Sequence, residues 1–182
     1  MIAHSGIGTY TRNLLHHLTL RKEFDFTLFG DPAKIADYPA QKIAVNIPIY
    51  SLREQIYYHL LLNRYNFDTV HVPHYNVPLA CKTRLIVTVH DLIHLKFPPS
   101  RAAYFYARTM FHAVCKKAHR IIADSQNTRK DLLEIIGADD RKIRVIYPGM
   151  NRDFVPGYIG DNAPRTDDFL LYIGNLKPTK NI

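Results

Sequence analysis

A chain of 182 residues, 47% hydrophobic and 22% charged, is long enough for one domain with a sizeable core, and none of its apolar runs reaches the roughly 18 residues that a membrane-spanning helix needs. Its net charge of +8 is carried by residues 1–120, which hold 15 Lys and Arg against 7 Asp and Glu, whereas residues 121–182 hold 9 of each. A one-sided basic region points to an anionic partner (a membrane surface, phosphates or nucleic acid) about as strongly as to a plain solvated surface.

The first residues, Met1-Ile-Ala-His-Ser-Gly6, lack the basic start and apolar stretch of a signal peptide. The two cysteines, Cys81 and Cys115, have no metal or redox spacing and read as buried thiols in a reducing cytoplasm. There is no internal repeat and no low-complexity tract.

Along the chain, Ser5-Gly-Ile-Gly8 reads as a glycine-rich turn, and a helix follows with Ile7, Tyr10, Leu14, Leu15 and Leu18 at helical spacing. Residues 24–29 alternate like a strand and end at the turn Gly30-Asp-Pro32. A short strand is expected around residues 43–47, stopped by Pro48. Ser51-Leu-Arg-Glu54 is a capping box that opens a helix. Thr69-Val-His-Val72 and Arg84-Leu-Ile-Val-Thr-Val89 read as buried strands. Ser100 caps a long helix that reaches about Ala118. Residues 120–124 form a strand, after which Ser125 caps a helix that stops at Gly137. Residues 142–146 give a further strand, closed by Pro148-Gly149. Residues 150–167, rich in Pro, Gly and Asp, read as a linker, and Phe169-Leu-Leu-Tyr-Ile173 as a new strand.

Strands alternate with helices, and apolar runs of four to six residues suit parallel strands buried on both faces. The expected fold is therefore a doubly wound, mainly parallel α/β sheet, in which ligands bind at the carboxyl ends of the strands. Several residues of chemical interest fall there. Gly6 and Gly8, at a helix start, offer backbone N–H groups to a phosphate, or simply launch the helix. His90 can hydrogen-bond a sugar hydroxyl or support charge at a reacting centre, or serve as a structural histidine at a strand end. Asp91 can orient His90, cap the next segment or contact an acceptor. Ser125 is first of all a helix N-cap. Tyr75 and Asn76 follow His74 at the carboxyl edge of the sheet, where an acceptor would lie. The pairs His71/His74 and His90/His94 have no third ligand at a known metal spacing, so no metal site is expected. The long helix after Ser100 interleaves Arg101, Arg108, Lys116 and Lys117 with Tyr104, Phe105, Tyr106 and Phe111. That pattern suits peripheral docking on anionic lipid, or a surface helix with one aromatic face in the core.

Five stretches occur in an order and spacing that resemble the family 4 (group 1) glycosyltransferases: Ser5-Gly-Ile-Gly-Thr-Tyr10, Thr88-Val-His-Asp-Leu92, Ala123-Asp-Ser-Gln-Asn127 with Arg129 beyond it, Val145-Ile-Tyr-Pro-Gly149, and Tyr172-Ile-Gly-Asn-Leu-Lys-Pro-Thr-Lys-Asn181. The resemblance implies a GT-B fold of two Rossmann-like domains facing across a cleft. It implies transfer of a hexosyl group from a nucleotide-sugar donor to a glycan or lipid-linked acceptor, with retention and without a required metal or resident cofactor. By the same resemblance, residues 1–149 are the acceptor-side N-terminal domain, residues 150–167 the interdomain linker and residues 168–182 the start of the donor-binding domain. His90 then faces the donor sugar, with Gly6, Gly8 and Ser125 at the donor side of the cleft. Gly174 and Lys180 match donor-phosphate positions. Asn175 stands where many relatives carry an arginine, and Lys177 is its substitute.

The family's first strand, which precedes the glycine turn, is almost absent here, so the sheet is expected to lack a central member. The paired glutamates of the donor domain are also absent, so this stretch is expected to be inactive alone. The resemblance places the protein in cell-surface polysaccharide synthesis, in the cytoplasm at the inner face of the membrane. Two other readings compete. One is a non-catalytic basic domain that grips an anionic membrane or glycan. The other is a nucleic-acid binder, for which the only support is the basic charge, since no recognised nucleic-acid motif is present.

Overall fold

A computed structural model of the chain describes residues 5–45, 47 and 52–149. The described elements all lie in the compact unit Met1–Pro148. In chain order they are α1 (Ser5–Leu18), β1 (Thr27–Gly30), β2 (Gln41–Ala44), α2 (Leu52–Arg64), β3 (Thr69–Val72), β4 (Arg84–Val89), α3 (Ile93–Lys96), α4 (Arg101–Lys117), β5 (Arg120–Ala123), α5 (Gln126–Asp131) and β6 (Ile143–Val145). This is the expected parallel α/β architecture. Strands β3-β4-β5-β6 form one parallel sheet, and β1 and β2 form a separate parallel pair. The expectation of a sheet short of its first strand concerns the start of the chain, and residues 1–4 lie outside the described residues, as do Ser51, the linker and everything from residue 150 onward.

The four-stranded sheet is built around β4, which pairs with β3 on one side and β5 on the other. Leu85, Val87 and Val89 alternate onto one face and are buried with Phe111 and Val114 of α4. Thr88, fully buried, points to the opposite face. There its hydroxyl meets Tyr10 of α1, with 3.2 Å between the two oxygens. Burial on both faces explains why β4 is apolar at Leu85, Ile86, Val87 and Val89, with Thr88 as its one buried polar residue. Each apolar side chain taken out of water in this way contributes roughly 1.5–3 kcal/mol.

Helix ends follow their capping residues. Ser100 Oγ accepts from the Ala103 amide at 3.1 Å and opens α4. Ser125 Oγ accepts from the Thr128 amide at 3.0 Å and opens α5. The segment Leu132–Ile136 widens into a π-turn and stops at Gly137, whose φ of 70° is left-handed and therefore favours glycine.

Three local expectations are corrected. Gly6 and Gly8 are not in a turn before α1 but within its first turn, because the helix begins at Ser5. Glycine costs a helix about 1 kcal/mol, but the four leading N–H groups have no intrahelical partner in any case, and Tyr10 and Thr11 anchor the helix just beyond them. The first strand starts at Thr27 rather than residue 24. Pairing begins where a partner backbone exists, at the bond from the Gln41 amide to the Phe26 carbonyl, 2.9 Å long. The second strand is Gln41–Ala44, two residues earlier than expected, because its ladder is fixed by β1, with Thr27 opposite Gln41 and Gly30 opposite Ala44.

Candidate active site at the carboxyl ends of the strands

The parallel register places Val89 of β4 opposite Ala123 of β5. The next residue on each strand is polar: His90 on one and Asp124 on the other. Their side chains meet, with His90 Nδ1 3.1 Å from Asp124 Oδ2. Both are about four-fifths covered, at 17% and 20% side-chain exposure, so the pair is shielded yet still reachable from solvent. The other ring nitrogen, Nε2, lies 3.2 Å from the carbonyl oxygen of Pro73, the residue after β3. A neutral imidazole has one N–H and can satisfy one of these two acceptors. Only the doubly protonated ring satisfies both.

Thr128, in the first turn of α5, ties the pair from below. Its buried hydroxyl donates to the His90 carbonyl at 2.7 Å and lies 3.2 Å from Asp124 Oδ1. It also sits 2.9 Å from the Ser125 hydroxyl. One proton serves each hydroxyl, so the consistent assignment has Ser125 donating to Thr128 and Thr128 donating to His90. The Ser125 cap thus sets the turn that holds the backbone of His90.

On the other side the Tyr10 ring meets the His90 ring edge-on, with centroids 4.8 Å apart and planes at 82°. The first turn of α1, with Gly6 and Gly8, is therefore tied to the same strand ends through Tyr10. His71 of β3 lies 2.9 Å from the Thr88 hydroxyl. Burial, and next the charge of His90, push His71 down to about 4, which leaves it neutral near pH 7. Burial raises the Tyr10 phenol; its hydrogen bond with Thr88 offsets part of this, and the Asp124 carboxylate adds a smaller upward push.

The remaining sequence candidates take different places. Asp91 is not the partner of His90. Its Oδ1 accepts from the Ile93 amide at 3.0 Å and so caps α3. Tyr75 is buried in the core, stacked on Phe111 with centroids 4.2 Å apart. Asn76 is buried too, and its Oδ1 accepts from the Tyr106 hydroxyl at 2.7 Å. Both hold the loop after β3 against α4. His74 Nδ1 accepts from the Asn76 amide at 3.1 Å, and His94 packs beside Tyr75. Gly174 and Lys180, with Asn175 and Lys177, lie outside the described residues.

Sequence reasoning passed over Asp124, Thr128, Tyr10 and Thr88. A signal for Asp124 was present. It ends the strand that follows His90's strand in the chain, and consecutive parallel strands commonly lie side by side.

Residues 4–154 match the sequence model of Glycosyltransferase Family 4. The chain is also 23% identical, over 211 aligned positions, to a protein of Methanocaldococcus jannaschii described as an uncharacterized glycosyltransferase. The match covers 97% of this chain and 53% of that relative, so the chain spans about half the relative's length.

Proposed function

The chain belongs to glycosyltransferase family 4, and on that premise we propose that it forms the acceptor-side half of an enzyme that moves a hexosyl group from a nucleotide sugar to a glycan or lipid-linked acceptor. The observation that carries this reading is the clamped His90. A histidine held by a carboxylate, a hydroxyl and a backbone carbonyl sits at the carboxyl ends of parallel strands, where ligands of such sheets bind.

In the proposed mechanism Asp124 keeps its hold on Nδ1–H. Nε2 turns from the Pro73 carbonyl to a hydrogen bond with a hydroxyl of the donor sugar. The amides of Gly6 and Gly8, in the first turn of α1, have no partner within the helix and suit the leaving diphosphate, as does the compact charge of a lysine such as Lys180. Stabilising the departing diphosphate is the main catalytic contribution. No described side chain in the cluster is placed as a covalent nucleophile, so the retention that the family resemblance implies would proceed by front-face substitution. We take the nucleotide sugar to be a substrate and assign neither a metal nor a resident cofactor. Asp91 and Ser125 act by shaping the loops around His90. Tyr75 and Asn76 set the acceptor side by positioning the loop after β3. A lipid-linked acceptor would be met at the cytoplasmic face of the membrane, in synthesis of a surface polysaccharide.

The test is a donor-release and transfer assay on the full-length protein, with a panel of nucleotide sugars and His90→Ala as control. Turnover of one donor that falls on the order of a hundredfold or more in the variant supports the reading. A well-folded protein that neither binds nor turns over any nucleotide sugar overturns it and favours a non-catalytic basic domain.

A further inference from the structure

Helix α4 runs seventeen residues, Arg101–Lys117, without a single acidic side chain. Its buried face is apolar: Ala107, Met110, Phe111, Val114 and Cys115. Its exposed face is the stripe Arg101, Phe105, Arg108, His112 and Lys116. These positions step by four, three, four and four residues, so they share one side of the helix. The cations of α4 differ from others in the same domain. Lys96 is bound to Asp131 at 2.6 Å, Arg129 to Asp140 at 2.6 Å and Arg141 to Asp139 at 2.9 Å. Arg101, Arg108, Lys116 and Lys117 form no ion pair with any described residue.

At the N-terminal end of this stripe the surface turns apolar. Phe97 is 61% exposed and Phe105 58% exposed. Beside them lies an open hollow of about 490 Å³, lined by Pro98, Ser100, Arg101, Tyr104 and Phe105. Exposed aromatic rings next to unpaired cations need two different environments at once. A nucleic-acid duplex supplies phosphates but nothing to cover Phe97 and Phe105. An anionic bilayer supplies a negative plane for the stripe and an apolar layer beneath it for the rings.

We propose that α4 lies flat on an anionic phospholipid bilayer, with the cationic stripe on the headgroups and Phe97 and Phe105 inserted at its N-terminal end. This names the membrane surface that the acceptor side of the proposed function calls for, but it is read by binding and not by transfer, so either idea can fail alone. The three cations of the stripe give an attraction that salt weakens, at about fivefold in partitioning per Lys or Arg near the surface. The rings make the remainder insensitive to salt.

The experiment is co-sedimentation of the 182-residue protein with vesicles of phosphatidylcholine alone, or with about a third phosphatidylglycerol, at low and moderate salt. The expected result is partitioning to the anionic vesicles only. The double variant Arg101→Glu/Arg108→Glu is expected to lower it by more than twentyfold. Phe97→Ser/Phe105→Ser is expected to lower it severalfold and to leave a purely salt-dependent remainder. Lys22→Glu/Lys42→Glu makes the same change in net charge at exposed positions away from α4 and is expected to leave binding within about twofold, allowing for its long-range effect on surface potential. Circular dichroism establishes that each variant is folded. Equal losses in the two charge-reversal variants overturn the proposal, as does binding to phosphatidylcholine alone. Absence of vesicle binding together with α4-dependent retention of duplex DNA also overturns it, in favour of a nucleic-acid surface.

Discussion

His90 Nδ1 lies 3.1 Å from Asp124 Oδ2, although the two residues are 34 positions apart. They meet because each is the first residue beyond one of two adjacent parallel strands, with Val89 opposite Ala123. This makes Asp124 a positioning residue for His90. Replacing it with Asn keeps the size and one acceptor oxygen but removes the carboxylate charge beside Nδ1. In the full-length protein Asp124→Asn is expected to lower kcat by about tenfold or more while changing KM little. Asp91→Asn, which touches only the start of α3, is expected to change kcat much less. Equal effects of the two substitutions in steady-state kinetics count against the pairing.

His71 makes the fold sensitive to acid. Its pKa is about 4 in the folded protein, lowered by burial and then by His90, against about 6.5 in an unfolded chain. A depressed histidine is neutral in both states above pH 6.5, so its full contribution to stability is present there. As pH falls from 6.5 to 4 the unfolded chain takes up a proton that the folded chain refuses, and stability is lost, by up to roughly 3 kcal/mol. Below pH 4 this loss levels off. His71→Gln keeps a hydrogen-bonding group for Thr88 and cannot titrate. Urea unfolding at pH 7 and at pH 4.5 is expected to show a smaller difference for this variant than for the parent chain.

Ser125 and Thr128 separate a cap from a clamp. Ser125→Ala removes the N-cap acceptor of α5 and is expected to cost about 1 kcal/mol. Thr128→Val keeps the shape of a fully buried side chain but removes the donor to the His90 carbonyl. That leaves a shielded acceptor unpaired, at about 1–3 kcal/mol. Denaturant midpoints give both numbers. The change at Thr128 is expected to lower transfer as well, because it frees the backbone that carries His90.

Both cysteines are buried. Burial pushes the Cys115 thiol up to about 11, with Lys142 opposing the shift. Little thiolate forms at neutral pH, and thiolate is the reactive species. Thiol-reactive probes are expected to leave Cys81 and Cys115 unlabelled in the native protein and to label both fully in denaturant. Fast native labelling of Cys115 would contradict the burial described for α4.

The order of elements was legible because the central strands β4 and β5 are largely apolar runs, and because Ser100, Ser125 and Gly137 end or begin helices through local geometry alone. Those signals need only a few neighbouring residues, so the sequence carries them whole. The limits of β1 and β2 were misjudged by two or three residues because a strand ends where its partner's backbone ends, and the partner lies elsewhere in the chain.

The site divides in the same way. Sequence alone determined that His90, Asp91 and Ser125 stand at the ends of strands and that the family's motifs run in order. Only the tertiary structure decided that Asp124 and not Asp91 meets His90, that Tyr75 and Asn76 turn inward onto α4, and that three cations of α4 share one exposed face with no ion pair among the described residues. Each of these depends on which strands are neighbours and which side of a helix meets the core. Packing decides both, through contacts between residues tens of positions apart.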